Sequence, residues 1–249
     1  MKKISIIMFL AVLGISSVYA HGIWTAMRSD MIEIVYGEGP WDNRFDAQTL
    51  QQVKGYDENQ KERKVSTQVN ETFVSLVPDD SVQVITAYAM AYFSQDANGN
   101  YVKKPKNEVP GVKNSMFAKQ YNVSYINQQK MLKKQKAMIL IKKPKANKAI
   151  ELEILPQVDP RSLKQGDELK VLVLKNGKPF GNAVVVPDVI GDVHHEIKTD
   201  KNGYATFKIR NTGLNVIATW SIESSKDTIK SDKDTIFSTL SFTLFDKNK

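Results

Sequence analysis

Apolar and polar positions alternate with a period of two along much of this chain, the mark of strands that bury one face. The pattern is clearest in the last third. Residues 168–174 (ELKVLVL) read as a strand, and Asn176-Gly177 follows as a hairpin turn pair. Further strands are predicted at 183–186 and 193–198, with a second turn pair at Asn202-Gly203. After it, Ala205, Phe207 and Ile209 alternate with Thr206 and Lys208. Residues 214–222 and 238–244 add two more, the last with Leu240, Phe242 and Leu244 on one face and Ser241 and Thr243 on the other. With 149–155 in front there are about seven short strands, the signature of an immunoglobulin-like sandwich.

The front part is less regular. Residues 31–36 and 82–93 read as strands, 73–77 and 138–141 as shorter ones, and Asn98-Gly99 as another hairpin turn. Residues 113–136 carry few strand signals and suit a helix or a long ordered loop. Lysines and Pro144 break the apolar pattern at 143–148, which marks a boundary. The expectation is an all-β protein of two β-sandwich domains, 21–148 and 149–249. The second is immunoglobulin-like, and an irregular or partly helical insert lies between them.

Residues 1–20 follow a different rule. Lys2 and Lys3 precede an apolar run over 4–15, and Val18 and Ala20 occupy the −3 and −1 positions of a signal-peptidase site. The run is short of the roughly 20 residues that span a bilayer. A cleaved signal peptide is expected, with a periplasmic mature chain that begins at His21. There is no cysteine, which excludes a lipid anchor, thiol chemistry and disulfides.

Charge changes the picture little. Removing Lys2 and Lys3 leaves 33 of the 35 basic residues against 27 acids, a mild and dispersed excess. No aromatic-basic motif appears, so nucleic acid is not an expected partner. Lys133, Lys134, Lys136, Lys142, Lys143, Lys145 and Lys148 form a lysine-rich stretch that suits a solvated surface better than an acidic partner or membrane.

No catalytic motif is visible: no nucleophile elbow, phosphate loop, dinucleotide fingerprint or His-Glu-x-x-His. The chain is not expected to be an enzyme. It has only three histidines, His21, His194 and His195. At a processed N-terminus, His21 offers a free α-amine and the imidazole Nδ1, which close a chelate ring on one metal ion. One more imidazole completes a histidine brace, and such nitrogen sites suit Ni(II) and Cu(II). His194 and His195 are the available sources. On a strand, neighbours face opposite ways, so His195 goes with the buried face and His194 with the open one. Asp188, Asp192 and Glu196 flank the pair as possible oxygen ligands or supports. Glu38 and Asp42 sit in a glycine/proline turn with Trp41 and could lie beside His21. Met27, Met31 and Met90 could serve Cu(I) but are more often core filler.

Several blocks together carry a resemblance. They are HGIW at 21–24, VYGEGPWD at 35–42, Ala118-Lys119, the long block at 151–185, TDKNGYATF at 199–207, GLNVIATW at 213–220 and STLSFTL at 238–244. The mature chain resembles a bacterial periplasmic family of unknown function formerly labelled NikM-like, whose NikK-type members accompany energy-coupling-factor nickel uptake systems. The resemblance implies β-sandwich domains and a role in binding a transition metal, chiefly nickel, and handing it to a membrane transporter. It carries over His21, whereas the His194-His195 pair matches no family motif. Two alternatives stay open: a copper-binding histidine-brace protein, and a sugar- or protein-binding module using Trp24, Trp41 and the Tyr88/Met90/Tyr92 alternation.

Overall fold

The computed structural model describes residues 21–28, 30–38, 44–127, 139–187 and 193–244. The expected signal peptide, Trp41, Asp42, Asp188, Asp192, Met138 and lysines 133, 134 and 136 lie outside them. The strands, in chain order, are β1 (Gly22–Arg28), β2 (Met31–Gly37), β3 (Leu50–Tyr56), β4 (Glu62–Arg63), β5 (Val65–Val69), β6 (Val74–Pro78), β7 (Val84–Gln95), β8 (Tyr101–Val102) and β9 (Asn114–Tyr125). The rest are β10 (Leu152–Pro156), β11 (Glu168–Lys175), β12 (Lys178–Pro179), β13 (Val184–Val186), β14 (Ile197–Lys198), β15 (Tyr204–Lys208), β16 (Leu214–Ser224) and β17 (Lys233–Thr243). Four short 3-10 turns are the helical elements among the described residues. The fold is an all-β sandwich.

Three sheets build it. A nine-stranded sheet runs β14-β13-β16-β17-β9-β7-β3-β4, with β8 attached to β7. A four-stranded sheet, β1-β2-β6-β5, lies on one of its faces, and a second, of β10, β11, β12 and β15, lies on the other. Side-chain parity shows the layering. On β17, Ile236, Leu240 and Phe242 join the core with Leu152, Ile154 and Leu169 of the second sheet. Phe237, one residue out of phase, packs with Trp24 of β1. On β9, Tyr121, Val123 and Tyr125 point to the former side, while Asn122 donates to Thr239 Oγ1 and Ser241 Oγ on the latter.

The expected boundary at 143–148 does not divide the sheets. β9 from the first half and β17 from the second pair in parallel over ten residue pairs, Met116 opposite Lys233 through Tyr125 opposite Phe242. The two sandwiches therefore share one layer. β9 also corrects the expected helix or loop over 114–125, residues 128–136 lying outside the described residues: its alternation Tyr121, Val123, Tyr125 against Gln120, Asn122, Ser124 is that of a strand whose polar face is buried by another sheet.

The turn pairs behave differently from each other. Asn176 and Gly177 have φ of 52° and 71°, and Lys175 pairs with Lys178 across them, the two-residue hairpin expected of Asn-Gly. Asn98-Gly99 turns the β7–β8 hairpin. Asn202-Gly203 also turns the chain, with Asp200 Oδ1 accepting from Asn202 N and Tyr204 N. It does not close a hairpin, because β14 pairs with β13 while β15 pairs with β11 in the opposite sheet. The predicted strand 193–198 is shorter than expected: Val193–His195 is a 3-10 turn, and only Ile197–Lys198 pairs.

Behind the central sheet, Arg161 and Asp159 form a buried ion pair, Nη2 to Oδ2 2.6 Å and Nε to Oδ1 3.0 Å. Arg161 also donates to Gln83 Oε1 and to the carbonyls of Ile126 and Ile139. Asp159 Oδ2 accepts from Ile141 N. The pair thus satisfies backbone groups of segments that belong to no sheet.

Candidate functional site

The β1–β2 hairpin makes the site. Its register sets Gly22 opposite Gly37 and Ile23 opposite Tyr36, so the residues just outside it, His21 and Glu38, face each other. His21 Nδ1 lies 3.1 Å from Glu38 Oε1, and the side chains are 48% and 44% exposed. The imidazole stacks on Tyr36, with ring centroids 5.4 Å apart and planes 25° from parallel. Gln120 Nε2 donates to the His21 carbonyl at 3.3 Å. This last contact ties the His21 carbonyl to β9. Burial raises the Tyr36 hydroxyl above its ordinary pKa, an effect partly offset by a hydrogen bond with Gln120.

His21 stands where β1 stops covering the central sheet. The uncovered face beyond it floors a cavity of about 310 Å³, to which Phe93, Tyr101, Met116, Thr235 and Phe237 contribute with Tyr36 and Gln120. Apart from Tyr36 of β2, these residues come from β7, β8, β9 and β17, neighbours only because of the sheet order. Of the wall, Tyr36 lies in the quoted VYGEGPWD block. Met116 and Phe93 had no sequence signal, because strand pairing alone brings them here.

The chemistry at the hairpin end fits a divalent ion. Imidazole nitrogens and carboxylate oxygens sit about 2.0–2.2 Å from such an ion; at right angles, that sets the two ligand atoms about 3 Å apart. Nδ1 and Oε1 are at that separation. It is also hydrogen-bond length, so the contact stands with no ion bound. A free amine on His21 would add a second nitrogen on the same residue.

The other predicted ligands are elsewhere. His194, His195 and Glu196 are exposed, on and beside the 3-10 turn before β14. β13 and β16 intervene between β14 and β17, which lines the His21 cavity. Among the described residues no group of three or more His, Asp or Glu forms that could hold a metal. Asp42 and Asp192 lie outside the described residues. Met27, Met31 and Met90 are exposed at 43%, 40% and 37% and are not among the residues lining the cavity; Met116 is. Trp24, expected as an exposed binding aromatic, is only 2% exposed and packs with Val35, Val186 and Phe237. Its ring is needed where β1 crosses the central sheet. Tyr88 and Tyr92 stack on Tyr121 and Phe117.

Comparison with curated proteins and with solved structures returned no match. A family model does match, over residues 18–222, which takes in the His21–Glu38 hairpin, the three Asn-Gly turns and the central sheet except β17 and the end of β16. The chain belongs to that family, described as a domain of unknown function, DUF4198.

Proposed function

We propose that this is an extracytoplasmic metal-binding protein that captures a divalent transition ion, nickel foremost, and passes it to a membrane uptake transporter of the energy-coupling-factor type. The observation that carries the reading is the His21–Glu38 pair, held by hairpin register at the mouth of a cavity. Cleavage after Ala20 would give His21 a free α-amine. The ion would then meet that amine, Nδ1 of the same residue and the Glu38 carboxylate. Two nitrogens and one oxygen at near right angles suit Ni(II) or Cu(II) better than tetrahedral Zn(II). Both side chains are about half exposed, which suits a site that must release its ion.

Copper is the second reading, and Met116 favours it: its thioether borders the same cavity, and soft sulfur selects Cu(I). Affinity rises from nickel to copper at most nitrogen sites, so metal content of protein isolated from the periplasm decides between them.

The test of the site is Ni(II) calorimetry on two preparations, one starting at His21 and one with a single added N-terminal Ala. The added residue turns the amine into an amide and opens the chelate. Affinity should fall at least about tenfold, or 1.4 kcal/mol. Equal affinities would exclude the amine and move the search to His194, His195 and Glu196.

A further inference from the structure

On the opposite face of the central sheet, remote from His21 in the layering, lies a second cavity of about 230 Å³. Its floor is the other side of β3, β7 and β9, its wall is β10, and residues 144–148 form its rim. The volume is below the roughly 300–1,000 Å³ of pockets that take drug-sized ligands, so an occupant would be small.

Glu153 lines this cavity and is only 4% exposed. Both of its carboxylate oxygens share one donor, the backbone N–H of Asn147, at 3.2 and 3.0 Å. Among the described residues no lysine or arginine forms an ion pair with it. A buried carboxylate with one shared hydrogen bond and no counter-ion is costly to keep charged. Burial accordingly pushes its carboxyl up to about 7. A cationic occupant would remove that cost.

The surroundings describe such an occupant further. Tyr56 and Tyr125 also line the cavity, Tyr56 Oη accepting from Asn147 Nδ2 at 3.1 Å and the Tyr125 ring carrying the Arg161 guanidinium 5.8 Å from its centroid. Val84, Val123 and Ile141 supply an aliphatic wall. At the rim, Lys145 and Lys148 line the opening and are exposed. The cavity thus runs from a buried negative charge, past an apolar wall, to a positive rim.

We propose that this cavity is a binding site for a small aliphatic α-amino acid, with its ammonium on Glu153, its side chain against Val84, Val123 and Ile141, and its carboxylate toward Lys145 and Lys148. The asymmetry of charge carries the assignment: an amine alone leaves the rim unused, and a carboxylic acid alone meets Glu153 with like charge. The site is independent of the metal reading.

The test uses the metal-free mature chain and three probes in calorimetry: leucine, isoamylamine and isovalerate. They share a branched body and carry both charges, the ammonium only, and the carboxylate only. Leucine should bind, isoamylamine should bind more weakly, and isovalerate should not bind. Glu153→Gln keeps an acceptor for Asn147 N–H but not the charge, and should weaken leucine at least about tenfold. Lys145→Ala with Lys148→Ala should weaken leucine and leave isoamylamine unchanged. An unaltered melting temperature of the lysine variant confirms that the fold is intact. The proposal is overturned if no probe binds wild-type protein up to about 10 mM, a range that registers millimolar Kd values. Isovalerate binding as well as leucine, or leucine binding equally well to a folded Glu153→Gln, would overturn it too.

Discussion

Single residues in this protein show how burial decides what a charge does. Arg161 and Asp159 are both almost fully buried, and every contact they make is geometrically good. Removing one partner leaves the other charged and unpaired, which costs about 3–5 kcal/mol in such settings. Arg161→Ala should therefore lower the unfolding free energy measured by urea titration by that amount, while Lys54→Ala, which breaks the more exposed pair with Glu62, should leave stability nearly unchanged. Glu153 is the opposite case, a buried carboxyl without a cation. Its pKa is raised by burial from 4.5 to about 7. The sign follows: its contribution to stability is fully present below about 4.5 and is lost as pH rises through about 7. The loss is about 3 kcal/mol at most from a shift of that size. Asp46 and Asp232, held below the ordinary range by hydrogen bonds from Lys103 and Lys106, act in the opposite sense, and only as pH falls below their usual 3.8. Denaturation between pH 5 and 8 should thus show a decline in wild-type stability that Glu153→Gln flattens.

At the scale of elements, the turn pairs separate local chemistry from tertiary demand. Gly177 and Gly203 have similar positive φ, 71° and 81°. A Cβ on Gly177 would meet nothing within 4 Å, whereas on Gly203 it would stand 2.8 Å from the Val173 carbonyl and 3.0 Å from Phe180 N. Gly177→Ala should cost only the left-handed backbone, about 1–2 kcal/mol. Gly203→Ala adds a clash with backbone that cannot move aside, and should cost clearly more, about 3 kcal/mol or beyond. Melting temperatures of the two variants, measured side by side, test the ordering; equal losses would mean that the chain at 200–204 yields without cost. The difference is not local: Gly203 N–H and carbonyl sit in a chain segment passing between sheets, with Val173 N–H donating to the Gly203 carbonyl at 2.8 Å.

For the whole molecule, the shared central sheet is the controlling fact. The largest core draws Val84, Tyr121 and Val123 from the first half and Leu152, Ile154, Leu169 and Leu240 from the second. Ile23, Ile34, Val74, Leu76 and Ile85 make a further core from the first half alone, but the second half loses part of the largest core without β7 and β9. Without β9, β17 would expose a paired edge, and Thr239 and Ser241 would lose Asn122. Urea unfolding followed by tryptophan fluorescence and by far-ultraviolet circular dichroism should therefore give one coincident transition. A fragment of residues 149–249 should not fold on its own. Two separated transitions would instead mean that the two sandwiches are independent units.

What the sequence determined is what depends on near neighbours. The class of fold came from period-two alternation, the β11–β12 hairpin from Asn176-Gly177, and the interest of His21 from its place after residues 1–20. The nearness of Glu38 to His21 was also legible, because one short hairpin relates them. The long-range relations were decided only by tertiary structure. In residues 113–136 the alternation of Tyr121, Val123 and Tyr125 with Gln120, Asn122 and Ser124 is the one local trace of β9, and nothing local marks that polar face as buried by a second sheet. Residues 238–244 of β17 do read as a strand, yet their pattern does not show that Ser238, Thr239 and Ser241 are all fully buried. The parallel pairing of β9 with β17 joins residues more than a hundred positions apart. From it follow the walls of the His21 cavity and the single sheet that two predicted domains share. A strand's own residues set its alternation, but its neighbours are chosen by which faces the other sheets leave to be covered.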